Sequence, residues 1–135
     1  MEYIVGVLLA VVTCVTVTVI GLDKGRSYYP VVMIVVASYY CLFAIMSGSR
    51  SALLLDGAIA LGFAVAAVIG FRTSLWLVAA ALAVHGAMDL VHHHIIVNSG
   101  VPPWWTGFCA AFDIVAAAYL SVRLKLAGES YSRTA

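Results

Sequence analysis

Charged residues are scarce in this sequence. Only 10% of its 135 residues are Asp, Glu, Lys or Arg, and 64% are hydrophobic, whereas a typical soluble domain is roughly 25% charged and 45–50% apolar. A water-soluble globule of this length has too little interior to hide that excess of apolar side chains. Intrinsic disorder is excluded by the same composition. The sequence therefore predicts an integral membrane protein with almost no mass outside the bilayer.

A strong charge of one sign is also missing, because seven basic and six acidic residues leave a formal net charge of +1. Nucleic-acid binding needs a basic surface, so we expect no nucleic-acid partner. The first apolar segment is preceded only by Glu2, not by the basic residues of a signal peptide, so we expect no cleavage there.

Cysteines are few, and Cys14, Cys41 and Cys109 all lie in apolar segments. An odd number of cysteines in such positions gives no disulfide framework. Buried free thiols of this kind usually act as small apolar side chains. A metal or redox role stays open for Cys41 and Cys109.

Five apolar segments are each long enough to cross a bilayer, which takes about 20 helical residues. Long continuous apolar runs, without ten-residue alternation, favour helices over a β-barrel. We predict an all-α integral membrane protein, a five-transmembrane-helix bundle that forms one domain over residues 1–135. In a four-span alternative the third and fourth segments form one bent hairpin, or one of them is re-entrant. The predicted spans cover residues 3–20, 31–46, 52–71, 75–97 and 105–126.

The basic residues decide the predicted orientation. With five spans and a cytoplasmic carboxyl terminus, the amino terminus lies outside and only Arg50 of the seven basic residues is external. This asymmetry follows the positive-inside rule, and a four-span arrangement breaks it. The residues predicted on the cytoplasmic side are Lys24, Arg26, Arg72, Arg123, Lys125 and Arg133.

Small residues recur every fourth position along the third segment. Such a stripe allows another backbone to approach closely. Packing inside the monomer is the plainer interpretation, and a homodimer through this stripe is the alternative. The residues are Ala58, Gly62, Ala66 and Gly70.

Ionisable side chains inside the spans carry the functional signal. Three of the six acidic residues, Asp56, Asp89 and Asp113, lie within apolar segments, and all four histidines lie in the fourth. A central charge costs roughly 2.5–3.5 kcal/mol on insertion scales. These aspartates therefore need protons, histidine partners, a metal ion or a water-filled cavity. The histidines are His85, His92, His93 and His94.

Depth and helical phase bring these groups together. Asp89 lies roughly 12 Å from the outer end of its span, Asp113 enters to a matching depth, and Asp56 lies nearer the outer surface. Around the fourth helix, with His85 at zero, Asp89 falls at about 40°, His92 at about −20° and His93 at about 80°. His94 points the other way. We predict one polar site in the outer half of the bilayer, with Asp89 as its hub.

Imidazole and carboxylate together suit a transition metal, which we expect to be zinc or iron. A catalytic site needs about three protein ligands and an open position. One candidate set is His85 or His93 with Asp89 and Asp113. The other is His92 with Asp89 and Asp56. We expect Asp89, Asp113 and His85 to be the catalytic residues.

Three stretches together resemble a family of short bacterial integral membrane proteins of unknown function. They are Gly21–Pro30, with the sequence GLDKGRSYYP, His85–His93 and Gly100–Asp113. The resemblance covers most of the chain. It implies a multi-pass protein of the cell inner membrane surrounded by lipids, and it implies no substrate, cofactor or catalytic residue.

Three functions remain open from the sequence. The first is metal-dependent hydrolysis or isomerisation of a lipid-like substrate at the His/Asp site, where the ion activates water or polarises a carbonyl. The second is a proton-coupled transporter or ion carrier that uses the same groups as a relay. The third is an accessory subunit of a larger membrane complex.

Overall fold

The chain folds into five long α-helices and one short 3-10 turn. The computed structural model describes the backbone of residues 1–134 and the side chains of residues 1–127. Arg133, one of the basic residues that set the predicted orientation, lies outside the residues with described side chains. The helices are α1 (Glu2–Ile20), α2 (Tyr28–Met46), α3 (Arg50–Arg72), α4 (Leu75–Ile95) and α5 (Trp105–Thr134), and the 3-10 turn is Leu22–Gly25.

All five helices are long and apolar enough to cross a membrane, with α5 counted over Trp105–Ala127. This confirms the predicted all-helical chain with five such segments. The helix bounds differ from the predicted spans by a few residues. The largest difference is at α5, which continues to Thr134 instead of ending near residue 126. At α4 the helix ends two residues before the predicted boundary, because Ile96 adopts an extended backbone.

Small polar residues and glycine set the helix ends. The hydroxyl oxygens of Ser49 and Ser74 accept hydrogen bonds from the first-turn N–H groups of α3 and α4, which satisfies donors that the helix cannot. At the end of α1, Gly21 takes a left-handed conformation (φ +80°) and its N–H bonds back to Thr18. These devices keep the connections short and the helices adjacent.

The helices pack in a fixed order of neighbours. α5 lies between α1 and α4, and α3 packs along both α2 and α4. The interior away from the polar residues is filled by aliphatic side chains that are fully or almost fully buried, including Met33, Val78, Leu82 and Leu120.

One end of the bundle carries the starts of α1 and α5 and the ends of α2 and α4. There Gly6 lies against Phe108 of α5, and Gly100 in the α4–α5 connection lies directly against the backbone of Phe43. The carbonyl oxygen of Phe43 leaves no room for a Cβ at position 100, so only glycine fits there. We call this the amino-terminal end.

The opposite end is tied by a small polar network. Asp23 accepts hydrogen bonds from the Thr18 hydroxyl (2.7 Å) and from the Arg123 guanidinium (3.3 Å). The Tyr119 hydroxyl donates to Thr18 at 3.1 Å. These contacts join the turn after α1 to α5.

The small-residue stripe of α3 is only partly used inside the monomer. Gly70 is buried against Val78 of α4, whereas Ala58 and Gly62 are exposed and Ala66 is half-buried. Close packing with α4 therefore accounts for one end of the stripe. A homodimer through the exposed part stays a prediction.

Candidate metal centre

Five of the six predicted metal ligands are buried. Asp56, His85, Asp89, His92 and Asp113 are at most 3% exposed. His93, the sixth, is exposed, so the structure does not bring it to the site. It lies two residues before the end of α4 and lines a cavity under the α4–α5 connection. The angular position of a residue around a helix predicts its burial only where other parts of the protein pack against that face.

Four side chains form a compact group, which we call the central cluster: His85, Asp89, Cys109 and Asp113. Each offers one ligand atom, and these atoms all lie within 4.8 Å of one another. His85 Nδ1 lies 2.6 Å from Asp113 Oδ2 and 3.6 Å from Asp89 Oδ2. The Cys109 thiol donates to Asp113 Oδ2 over 3.9 Å. His85, not Asp89, is therefore the hub.

Helical spacing builds the central cluster from two pairs. His85 and Asp89 are four residues apart on α4, and Cys109 and Asp113 are four residues apart on α5, so each pair shares a face. The two helices approach closely because Gly86 has no side chain. A Cβ there would lie 3.0 Å from the Ala110 carbonyl oxygen.

Two aromatic residues of other helices complete the surroundings of the central cluster. The Tyr40 hydroxyl of α2 donates to Asp89 Oδ1 at 2.7 Å. The ring of Phe63, from α3, meets His85 edge-to-face with a centroid distance of 4.9 Å. Four helices thus enclose the cluster, and its four members are at most 2% exposed.

The central cluster contains more acidic than basic side chains. It contains two carboxyl groups, and among the described side chains only His85 forms an ion pair with either of them. Asp89 Oδ2, Asp113 Oδ1 and His85 Nε2 are buried without a hydrogen-bond partner. Buried carboxylates need a compensating charge, a proton or a metal ion.

A second polar group lies nearer the amino-terminal end. His92 Nε2 lies 2.8 Å from Asp56 Oδ1, and the Asn98 amide donates to Asp56 Oδ2 at 2.8 Å. Asn98 also donates to the Tyr40 carbonyl oxygen at 3.1 Å. The Tyr40 ring stacks on His92 with a centroid distance of 4.0 Å.

The two predicted ligand sets have different outcomes. His85, Asp89 and Asp113 lie together, as the first set requires. The second set is not assembled, because His92 and Asp56 bind each other while Asp89 bonds to Tyr40. Instead of the single polar site that was predicted, the structure has two neighbouring polar groups, and Tyr40 contacts both of them.

Sequence reasoning gave too little weight to three residues. Cys109 lies one helical turn before Asp113 and therefore on the same face of α5. This spacing could have identified Cys109 as a member of the site. Tyr40 is one of several hydroxyl side chains near the predicted site. Asn98 lies in the connection between α4 and α5, where no helical periodicity indicates the direction of its side chain.

No protein-family model, curated protein or solved structure matches this chain. The geometry of the site is therefore the observation that bears on function.

The close contact at Gly86 gives a stability prediction. In Gly86→Ala the added Cβ has to displace Ala110, Ile114 or Asp113, which lie 3.0–3.2 Å away, and overpacking of this kind costs about 1–3 kcal/mol. We expect a lower thermal midpoint in detergent. Gly62→Ala is the matched control, because a Cβ at Gly62 meets nothing within 4 Å. Equal midpoints for the two variants would contradict the tight α4–α5 contact.

Proposed function

We propose that the chain is a multi-pass protein of the cell inner membrane, with its amino terminus outside and its carboxyl terminus cytoplasmic. The outward-facing side chains support insertion, since large apolar residues such as Ile4, Val19, Leu54 and Leu61 are at least 65% exposed. A continuous apolar exterior of this kind is typical of a lipid-facing surface. The asymmetric basic residues support the orientation.

We further propose that the central cluster binds a transition metal ion, zinc or iron. The observation that carries the proposal is the group of four buried ligand atoms within 4.8 Å of one another, contributed by two helices. Imidazole, carboxylate and thiol are ligands that zinc and iron accept. The orphaned atoms of His85, Asp89 and Asp113 are consistent with a group built for a partner outside the chain.

The described residues have distinct parts in this proposal. His85, Asp89 and Asp113 would hold the ion, and its binding would release the proton shared by His85 and Asp113. The Tyr40 hydroxyl fixes the orientation of Asp89, and Phe63 packs against His85. A bound ion would supply Lewis acidity or an activated water for hydrolysis or isomerisation.

A lipid-like substrate is supported by an apolar cavity between α1, α2 and α5. Its volume is about 270 Å³, its wall includes Val35, Tyr39, Trp105 and Phe108, and Cys109 of the central cluster also lines it. An alkyl chain in this cavity would lie beside the cluster without crossing a polar surface. The proposed route of entry is therefore lateral, from the lipid.

Metal analysis of the purified protein tests the proposal directly. We expect about one zinc or iron ion per chain after exposure to a mixture of divalent metals. Protein that stays free of any transition metal under these conditions would contradict it.

The metal affinity of the Cys109→Ser variant distinguishes a catalytic from a structural metal site. A catalytic site keeps about three protein ligands and an open position, whereas four ligands close it. Because Cys109 is an additional neighbour in this proposal, we expect Cys109→Ser to retain the ion with at most roughly tenfold weaker affinity. Affinity is measured by chelator competition, with Cys41→Ser as the matched control. Complete loss of the ion in Cys109→Ser alone would indicate a closed structural site.

Proton transfer is a second candidate function. It is supported by the sequence of contacts from Asp113 through His85 and Asp89 to the Tyr40 hydroxyl. Transport needs a continuous path, however, and the described interior toward the opposite end contains buried Leu82, Val78 and Leu120. This apolar layer favours the metal site over the transporter.

A further inference from the structure

The Asp56–His92 pair lies outside the central cluster and is held by more contacts than helix packing requires. Both carboxylate oxygens of Asp56 are engaged, since Oδ1 lies 2.8 Å from His92 Nε2 and Oδ2 accepts from the Asn98 amide. The Asn98 side-chain oxygen in turn accepts from the Gly100 N–H at 3.2 Å. The His92 ring is fixed by the stacked Tyr40. Four residues thus determine the position of a single imidazole.

With Asp56 ionised, these contacts assign the tautomer of His92. An ionised carboxylate only accepts hydrogen bonds, so His92 Nε2 has to carry the proton that it shares with Asp56. In the neutral ring, Nδ1 is then a lone-pair acceptor. The arrangement presents an acceptor nitrogen, not a donor.

His92 Nδ1 is not sealed by the protein. It has no hydrogen bond within the described residues, yet it is not among their buried atoms that lack a partner, as His85 Nε2 is. His92 lines a cavity of about 440 Å³ at the amino-terminal end, beneath the α4–α5 connection. We call it the outer cavity. Because Nε2 is engaged by Asp56, Nδ1 is the ring nitrogen that His92 can offer to this cavity.

The lining of the outer cavity indicates the chemistry of that ligand. Ser99 and Thr106 contribute hydroxyl-bearing side chains, and the wall contains no Lys or Arg among the described residues. An anionic group would meet no permanent positive charge and would approach Asp56. A neutral O–H group can donate to the lone pair of His92 and exchange hydrogen bonds with the hydroxyl side chains.

We propose that the outer cavity is a second site, which binds a hydroxyl group through His92 Nδ1. Asp56, Asn98 and Tyr40 are its positioning residues. The hydroxyl belongs either to a small soluble alcohol or to a lipid head group at the membrane surface. Binding here does not require a metal ion in the central cluster.

Carbethoxylation by diethyl pyrocarbonate tests the site. The imidazole lone pair attacks a carbonyl carbon of the reagent, an N–C bond forms, and ethyl carbonate leaves as ethanol and carbon dioxide. We expect His92 to react in the folded protein although it is only 3% exposed, and His85 to stay unmodified. Peptide mass spectrometry measures each histidine separately. A folded protein in which only His93 and His94 react would overturn the proposal.

Asp56→Asn adds a sharper test of the tautomer. Asn98 donates toward residue 56, so the new amide has to turn its oxygen to Asn98 and its NH₂ group to His92 Nε2. The His92 proton then moves to Nδ1, and the reactive lone pair is lost from the cavity. We expect the modification of His92 in the folded protein to be largely lost. Asp23→Asn at the opposite end is the matched control and should leave the modification unchanged.

Protection experiments on the wild-type protein identify the source of the hydroxyl. Protection of His92 by glycerol in detergent would indicate a soluble alcohol. Protection in nanodiscs that contain a neutral glycosyl diacylglycerol, but not in nanodiscs of phosphatidylcholine alone, would indicate a lipid head group. Absence of protection under all these conditions would overturn the hydroxyl assignment, and it would do so without affecting the proposed metal centre.

Discussion

His85→Ala and Asp89→Ala are each expected to remove the bound metal ion. Each variant deletes one of about three ligands of the proposed site, and His85 is also the only described base in contact with both Asp89 and Asp113. Even the loss of an outer partner of a metal ligand typically weakens binding 10–100-fold, so we expect loss of a ligand to weaken it by roughly 100-fold or more. Inductively coupled plasma mass spectrometry after gel filtration gives the stoichiometry.

His94→Ala is the control for these variants. It removes a histidine from the same helix, but His94 is exposed and forms no part of the central cluster. We expect this variant to retain the ion with unchanged affinity. If His94→Ala lost as much metal as His85→Ala, the ion would be bound by the exposed histidines and the proposed centre would be wrong.

Replacing the whole polar group by apolar residues is expected to stabilise the fold or leave its stability unchanged. The combined variant carries Tyr40→Phe, His85→Leu, Asp89→Leu and Asp113→Leu, so that of the central cluster only the weakly polar thiol of Cys109 remains. Exchanges of buried ionic groups for apolar ones are often neutral or stabilising by about 1–4 kcal/mol. The single variant His85→Leu leaves two carboxyl groups without their base and is expected to cost about 3–5 kcal/mol.

Thermal unfolding in detergent, monitored by circular dichroism, separates the two variants. We expect the midpoint of His85→Leu to fall and that of the combined variant to equal or exceed the wild-type value. This pattern would mean that the polar group is kept for chemistry at a cost in stability. A combined variant as unstable as His85→Leu would instead show that the central cluster is needed for folding.

The helices were predictable because apolar runs and turn residues give independent signals for the same boundaries. Gly21 after α1 and Ser74 before α4 mark ends that hydropathy alone leaves uncertain. The end of α4 was less predictable. Ile96 is as apolar as the residues before it, and it leaves the helix because the connection turns back toward Asp56, a long-range contact of Asn98.

The sequence allowed most residues of the site to be predicted, but not which of their side chains contact one another. Helical spacing correctly grouped His85 with Asp89, since that depends only on residues of one helix. Which carboxylate lies closest to His85 depends on how α5 is rotated against α4, and the small residue Gly86 sets that contact. The prediction for His93 was wrong, because periodicity places it on the inner face of α4, whereas in the structure it is exposed and lines the cavity under the α4–α5 connection.

Tyr40 contacts both polar groups. Its hydroxyl holds Asp89, its ring lies on His92, and its carbonyl oxygen accepts from Asn98. If an ion in the central cluster moves this one side chain, it changes the affinity of the outer cavity for its ligand. Such coupling is reciprocal: whatever factor an ion in the central cluster applies to a ligand in the outer cavity, that ligand applies to the ion.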